Sequence, residues 1–205
     1  MLQPVTLALI AITALVSWRA FSDRRLLDRM ILWPPAVARQ REYWRLLTHG
    51  FLHADFPHLL FNMFTLFFFG GLIERLMTGI TGSRLTFLLF YLSAIVVAIL
   101  PSYLKNIGNP RYFSLGASGA VSAVLFAFIM VKPWSLILVF FVPMPAIVYA
   151  VFYVGYSIWM DRRGGGNINH SAHLAGAAYG VLFMVAMAPE VLELFWQQLL
   201  NPRFG

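Results

Sequence analysis

Cysteine is missing and charge is scarce. Without cysteine the 205-residue chain can form no disulfide, offer no thiolate nucleophile and build no thiolate metal site. Charged residues make up 11% of the chain, against about 25% in an ordinary soluble domain, too few to cover a water-facing surface. Acids are rarer than bases: eight Asp and Glu against fifteen Lys and Arg leave a net charge of +7. What fills the chain instead is apolar, 60% of all residues, with a mean hydropathy of +0.75. The solvent such a composition suits is a lipid bilayer. The surplus positive charge then reads as loop arginines meeting anionic headgroups, and no nucleic-acid partner is expected. No basic stretch precedes the first apolar run and no small-residue cleavage site follows it, so a cleaved signal peptide is not expected. No internal repeat is visible, and the length suits one domain covering 1–205.

A bilayer core takes about 20 apolar residues per helix. Spans are predicted over about 2–18, 56–76, 85–104, 115–131, 145–160 and 172–187. The fifth needs an argument, because Pro143 and Pro145 interrupt its apolar run. Proline suits a first helical turn and damages a helix interior, so the span is started at Pro145 and 135–142 is left at the interface. Trp18, Trp33, Trp44, Trp134, Trp159 and Trp196 fall at span ends or in loops, as an aromatic belt does. The fold class read from this pattern is all-α: a polytopic six-transmembrane-helix bundle with a long, membrane-associated first loop over 19–55.

Six spans put both termini on one side, here face A, with face B opposite. Spans two, four and six then all start at face B. His58 and Asn62 lie in the first turns of span two, Ser118 in the first turn of span four and His173 in the first turn of span six. At 1.5 Å per residue all four come out at similar depth, up to about 10 Å below that face.

A serine hydroxyl needs a base before it can attack, and His173 can be that base. Small residues let the two helices approach: Gly119, Ala120 and Ala123 on one, Ala172, Gly176 and Gly180 on the other. Every acid falls in a loop or at a span end, so a Ser118–His173 dyad without an acidic third member is expected. His58 and Asn62, four apart on one helix face, can both point at a developing oxyanion, joined by the backbone N–H of Ser118 in its first helical turn. Gly116 and Gly119 leave room for a substrate backbone.

Each residue alone also has a plainer role. A membrane serine often glues helices, a histidine among small residues often bonds across them, and a lone asparagine is often structural. Their coincidence at one depth, where polar side chains are costly, favours function. Metal is not expected at His49, His53 and His58, or at His170 with His173, because no carboxylate joins either group and the His-Glu-x-x-His pattern is missing; no cofactor is expected. Glu74 and Arg75 read as an interface anchor at the end of span two. Arg162-Arg163-Gly164-Gly165-Gly166 reads as a flexible loop, not a phosphate cradle.

Taken in order, Tyr43-Trp44-Arg45, His49, His53, His58, Asn62, Gly70-Gly71-Leu72-Ile73-Glu74-Arg75, Gly116-Ala117-Ser118-Gly119-Ala120, Ala172-His173-Leu174-Ala175-Gly176 and Gly180 resemble the rhomboid intramembrane serine proteases. The resemblance runs from about Trp44 to Gly180. It implies Ser118 as nucleophile, His173 as base, and His58 with Asn62 in the oxyanion hole. It matches Trp44-Arg45 to a membrane-embedded first loop, lets Glu74 tie spans together, and makes span five the mobile element beside which substrate helices enter. The implied reaction is hydrolysis of a peptide bond in or near a transmembrane segment of another protein, the expected partner being a single-span membrane protein in the bilayer. One position departs. Many members of that family carry an aromatic residue four after the nucleophile, stacked on the base, and here it is Ser122; Tyr112, Phe113 and Tyr153 are candidates to replace it.

Orientation is contested. Face B carries Arg19, Arg24, Arg25, Arg29, Arg39, Arg41, Arg45, Lys105, Arg111, Arg162 and Arg163, and face A carries Arg75, Arg84, Lys132 and Arg203. The charge-bias rule puts face B in the cytoplasm. The resemblance puts it outside a bacterial inner membrane. The excess comes wholly from the first loop, whose arginines can snorkel to phosphates, so the outward reading is adopted. Two rivals remain: an inactive relative that binds membrane helices without cutting them, and a small transporter, which would need more polar residues near the bilayer midplane.

Overall fold

The computed structural model describes residues 3–139, 142–164, 166 and 168–202. Phe140, Phe141, Gly165 of the glycine loop and Arg203 of the face-A count lie outside the described residues.

Four helices are long and apolar enough to cross a membrane: α1 (Pro4–Ser22), a rod over Phe56–Thr81, α7 (Leu85–Lys105) and α10 (His170–Met187). The rod is α5 (Phe56–Thr65) and α6 (Gly71–Thr81) joined without a break by a π-helical turn over Leu66–Gly70. It starts where Asp55 accepts the His58 backbone N–H at 2.7 Å with Pro57 in the first turn, and it runs past the predicted end at 76 to Thr81. Glu74 is therefore inside a helix, fully buried, and not an exposed interface anchor. Its carboxylate accepts the backbone N–H groups of Val5 at 3.1 Å and Thr6 at 2.7 Å and the Thr6 hydroxyl at 2.8 Å. Those amides belong to the first turn of α1, where a helix leaves donors unpaired and favours negative charge.

The shorter α8 (Ser118–Val131) is apolar on every side, and twelve of its fourteen residues are buried. A helix without a polar face belongs in the centre of a bundle. It begins at Ser118, three residues later than the predicted span. At 1.5 Å per residue it is about 20 Å long, less than the roughly 30 Å hydrocarbon core.

The connection from α8 to α9 (Ala146–Arg163) departs from an all-α fold. Strands β1 (Leu136–Val139) and β2 (Val142–Pro145) form an antiparallel hairpin that pairs Leu138 with Pro143 and Leu136 with Pro145. Both prolines that break the helical pattern sit in β2. A two-stranded hairpin has only edges, the one place in a sheet that tolerates proline. Helix α9 then starts directly after Pro145, as the proline argument requires.

The first loop is ordered and largely helical: α2 (Arg24–Met30), α3 (Pro34–Gln40), α4 (Arg45–Thr48) and a 3-10 turn over His49–Phe51. Arg45 is buried at its centre. Its guanidinium pairs with Glu42 and donates to the carbonyls of Asp28 at 2.7 Å and Ile31 at 2.8 Å, while the exposed Trp44 donates from Nε1 to the Arg29 carbonyl at 3.3 Å. A final helix, α11 (Glu190–Leu200), follows α10, and Trp134 donates to its last-turn carbonyls at Gln198, 3.0 Å, and Leu199, 3.3 Å.

Candidate active site

The sequence-predicted residues converge around the start of α8. Ser118 is the first residue of that helix, so its backbone N–H has no intrahelical partner. Gly116, two residues before it, takes φ of +120°, a conformation that L side chains avoid. A Cβ built on Gly116 would lie 3.0 Å from His58 Cε1, 3.2 Å from His58 Nε2 and 3.8 Å from Ser118 Oγ. The imidazole of His58 and the hydroxyl of Ser118 therefore flank one small space that only glycine leaves open. Asn62, buried one helical turn below His58, donates one amide N–H to the His58 carbonyl at 2.9 Å, leaving its second N–H uncommitted.

His173 comes to the same place on α10. Gly119, the residue after Ser118, packs against Ala172, the residue before His173: a Cβ on Gly119 would sit 3.3 Å from the Ala172 carbonyl oxygen. The helices stay in backbone contact further down, where a Cβ on Gly176 would be 2.0 Å from the Gly119 oxygen and one on Gly180 would be 2.1 Å from the Ala123 oxygen. Among the described residues, no hydrogen bond joins Ser118 Oγ to the His173 ring. Both side chains are half-buried, and hydrogen bonds between catalytic groups are commonly loose before substrate tightens them.

Of the three candidates to support His173, the structure selects Tyr153. Its ring stacks on the imidazole at 6.0 Å between centroids, inclined by 19°. Its hydroxyl bonds to Ser122 Oγ at 2.5 Å, and Ser122 in turn donates to the Ser118 carbonyl at 2.8 Å. Phe113 stacks instead on Trp33 at 6.2 Å, and the Tyr112 hydroxyl accepts from Asn169 at 3.0 Å.

Sequence reasoning missed Asn169. Its Oδ1 accepts the Ala172 N–H at 3.1 Å, capping α10, and the Ser102 hydroxyl at 2.7 Å. Its Nδ2 donates to Tyr112 and, at 3.2 Å, to Ser114 Oγ. One amide thus ties the start of α10 to α7 and to the loop before Ser118. The signal was there: Asn directly before an apolar helical run is a standard cap.

In the sequence His53 is one histidine of the motif and an unfavoured metal candidate, with no structural partner assigned. Its Nε2 accepts the Ala117 N–H at 3.5 Å, which leaves the ring proton on Nδ1. Nδ1 then donates to Ser17 Oγ at 2.9 Å, and Ser17 donates to the Phe51 carbonyl at 2.8 Å. The chain links α1 to the peptide just before the candidate nucleophile. Burial and the neighbouring His58 ring lower the His53 pKa, Asp55 opposing them only in part. Burial likewise lowers that of His49, the Leu46 backbone opposing it only in part. His49 lines a cavity of about 10 Å³ beside Ser118, Ser114 and Asn169, roughly the space one water needs. No three His, Asp or Glu side chains among the described residues converge as a metal site.

A family model described as the Rhomboid domain matches residues 40–190. The chain is 31% identical over 182 residues to "RHOMBOID-like protein 12, mitochondrial" of Arabidopsis thaliana, an overlap covering 82% of this chain and 53% of that protein. It is 32% identical over 126 residues to "Putative rhomboid protease YdcA" of Bacillus subtilis (strain 168), covering 58% of each. It is 28% identical over 154 residues to "Rhomboid protease GlpG" of Haemophilus influenzae, covering 74% of this chain and 73% of that protein. The chain thus spans between half and three-fifths of the length of the first two relatives.

Proposed function

The chain belongs to the rhomboid family, and from that membership and the site around Ser118 we propose that it is an intramembrane serine protease working through a Ser118–His173 dyad. The observation that carries the proposal is the seating of Gly119 against Ala172, which brings together the helix starts bearing the hydroxyl and the imidazole. The family places the chain in a membrane, and the bundle is read as six spans, α1, the α5–α6 rod, α7, α8, α9 and α10, forming one domain.

In this reading His173 takes the Ser118 proton as Oγ attacks a peptide carbonyl, and returns it to the leaving amine. The oxyanion gains the Ser118 backbone N–H, the free amide N–H of Asn62 and the His58 ring, donors held in place before the reaction starts. Water then hydrolyses the acyl-enzyme, and the cavity beside His49 is where one molecule can wait. The substrate is a single-span membrane protein whose helix yields near the cut, because a protease needs an extended backbone. Trp44 and Arg45 hold the first loop, Glu74 holds α1 to the rod, and Gly176 and Gly180 hold α10 to α8.

The membrane proposed is a bacterial cell membrane, with face B outward. Two of the relatives above are bacterial, although the plant one is mitochondrial by its name. A tag placed after Arg163 should be digested in intact spheroplasts, and its protection would reverse the orientation. The activity itself is tested by incubating purified protein with a panel of single-span substrates. Wild type should cut, and Ser118→Ala should not while keeping its thermal midpoint. A fluorophosphonate probe should label Ser118; an unlabelled, folded wild type would make the chain a helix-binding relative instead.

A further inference from the structure

Helix α9 carries the stripe Ala146, Ala150, Tyr153 and Ser157 on one face, with Ile147, Tyr149 and Val154 also packed on the core beside it. Its buried residues are Ala146, Ala150 and Ser157, all small. Tyr153 is the one bulky side chain on that stripe. Its ring lies between His173 at 6.0 Å on α10 and Phe126 at 5.5 Å on α8, with Tyr149 of its own helix at 5.5 Å. The hydroxyl direction is fixed by counting protons. Ser122 spends its one proton on the Ser118 carbonyl, so Tyr153 must be the donor to Ser122 Oγ. One side chain of α9 therefore touches the imidazole by its face and the candidate nucleophile's own carbonyl through one serine.

We infer that Tyr153 is the positioning residue for His173, so that the seat of α9 in the bundle sets the orientation of the base. The inference rests on the dyad proposed above. Among the described residues the other ring beside His173 is His170, met edge-on at 5.9 Å and itself edge-on to Tyr156 of α9 at 5.6 Å; it offers the imidazole an edge, where Tyr153 offers a stacked face. Each outward movement of α9 withdraws the ring and leaves the imidazole free to turn away from Ser118. Ser122 makes the arrangement possible, because its small side chain leaves the volume beside His173 for a ring arriving from another helix. The base is thereby set by the docking of α9 on α8 and α10.

The test is the rate at which a small fluorophosphonate labels Ser118 in detergent, read across pH and below the thermal midpoint of each variant. The probe needs no helix to move aside, so it reports the dyad alone. Tyr153→Leu should label about a hundredfold more slowly, the scale of a base misplaced by about 1 Å, with the acid limb of its pH profile displaced. Tyr153→Phe keeps the ring and loses only the bond to Ser122, so it should stay within about threefold of wild type. Moving the ring to α8 in the double variant Ser122→Tyr, Tyr153→Ser should recover labelling relative to Tyr153→Leu. Equal rates for Tyr153→Leu and wild type, or equal losses for the Leu and Phe variants, would overturn the inference while leaving the dyad intact. A wild type that is folded and unlabelled would instead remove the dyad on which it rests. If the double variant does not fold, the contrast between Leu and Phe decides alone.

Discussion

Gly176 meets Gly119 backbone to backbone: a methyl group on Gly176 would lie 2.0 Å from the Gly119 carbonyl oxygen. No side-chain rotation relieves such a contact, since both partners are main chain. Gly176→Ala must push α10 off α8 and carry His173 away from Ser118. We expect it to cost at least about 3 kcal/mol of stability and to abolish cleavage. Gly155→Ala on α9 is the control, because nothing lies within 4 Å of its Cβ position. That change should raise stability by up to about 1 kcal/mol, through helix propensity. Thermal midpoints of the two variants in one detergent separate close approach from a general dislike of substitution.

Glu74 holds the start of α1 with three accepted hydrogen bonds in a fully buried setting. Removing the carboxylate strands the Val5 and Thr6 donors without water to take its place. Glu74→Ala should therefore cost about 4 kcal/mol, and Glu74→Gln, which keeps one acceptor oxygen, about half as much. A double-mutant cycle of Glu74→Gln with Thr6→Val should show coupling above about 0.5 kcal/mol. Additive losses would mean the Thr6 contact contributes nothing.

The parts of this site that follow from spacing were legible in the sequence. Glycine at four-residue intervals on α10 foretold close packing on α8, and Pro145 correctly marked the start of α9. What escaped were contacts that depend on where distant loops come to rest. Nothing along the chain says that Asn169 will reach Ser102, Tyr112 and Ser114 at once, or that Ser17 at the far end of α1 will meet His53. Glu74 misled for a related reason. A carboxylate two residues from a supposed helix end looks like an anchor until the helix continues to Thr81 and the start of α1 arrives beside it. The hairpin was invisible because Leu136–Val139 is as apolar as any helix, and only its pairing with β2 makes it a strand.

Gly116 combines a left-handed backbone with an imidazole against its missing side chain. Gly116→Ala would be strained at φ of +120° and would press on His58 Cε1 at 3.0 Å. The backbone term alone is about 1–2 kcal/mol. The larger effect should fall on turnover, because His58 must move from the space it shares with Ser118 Oγ. We expect kcat to drop by about tenfold or more, as when an oxyanion donor is displaced, with KM changed little. A rise in KM at constant kcat would place His58 in substrate binding rather than in the reaction.

Acid should act through His53. The folded protein keeps this ring neutral, since burial disfavours its charged form and His58, edge-on at 4.9 Å, adds to that, while Asp55 opposes them in part. The unfolded chain binds a proton near pH 6.5, about the ordinary histidine value. Between that value and the lowered folded one the unfolded state holds more protons, so stability is complete above about pH 6.5 and falls as pH falls. His49, also buried and with a lowered pKa, adds to the same slope. Protonation also has a local consequence. Nε2 of His53 would become a donor facing the Ala117 N–H, and the peptide next to Ser118 would lose its restraint. Thermal midpoints measured from pH 7.5 to pH 5 should therefore decline in wild type and decline less in His53→Asn. Ser17→Ala, which removes the partner of Nδ1 but no titrating group, should lower the midpoint at every pH without changing the slope. A slope that His53→Asn leaves unaltered would assign the acid sensitivity to His49 or to another group, and the relay from α1 to Ala117 would then be structural at all pH values.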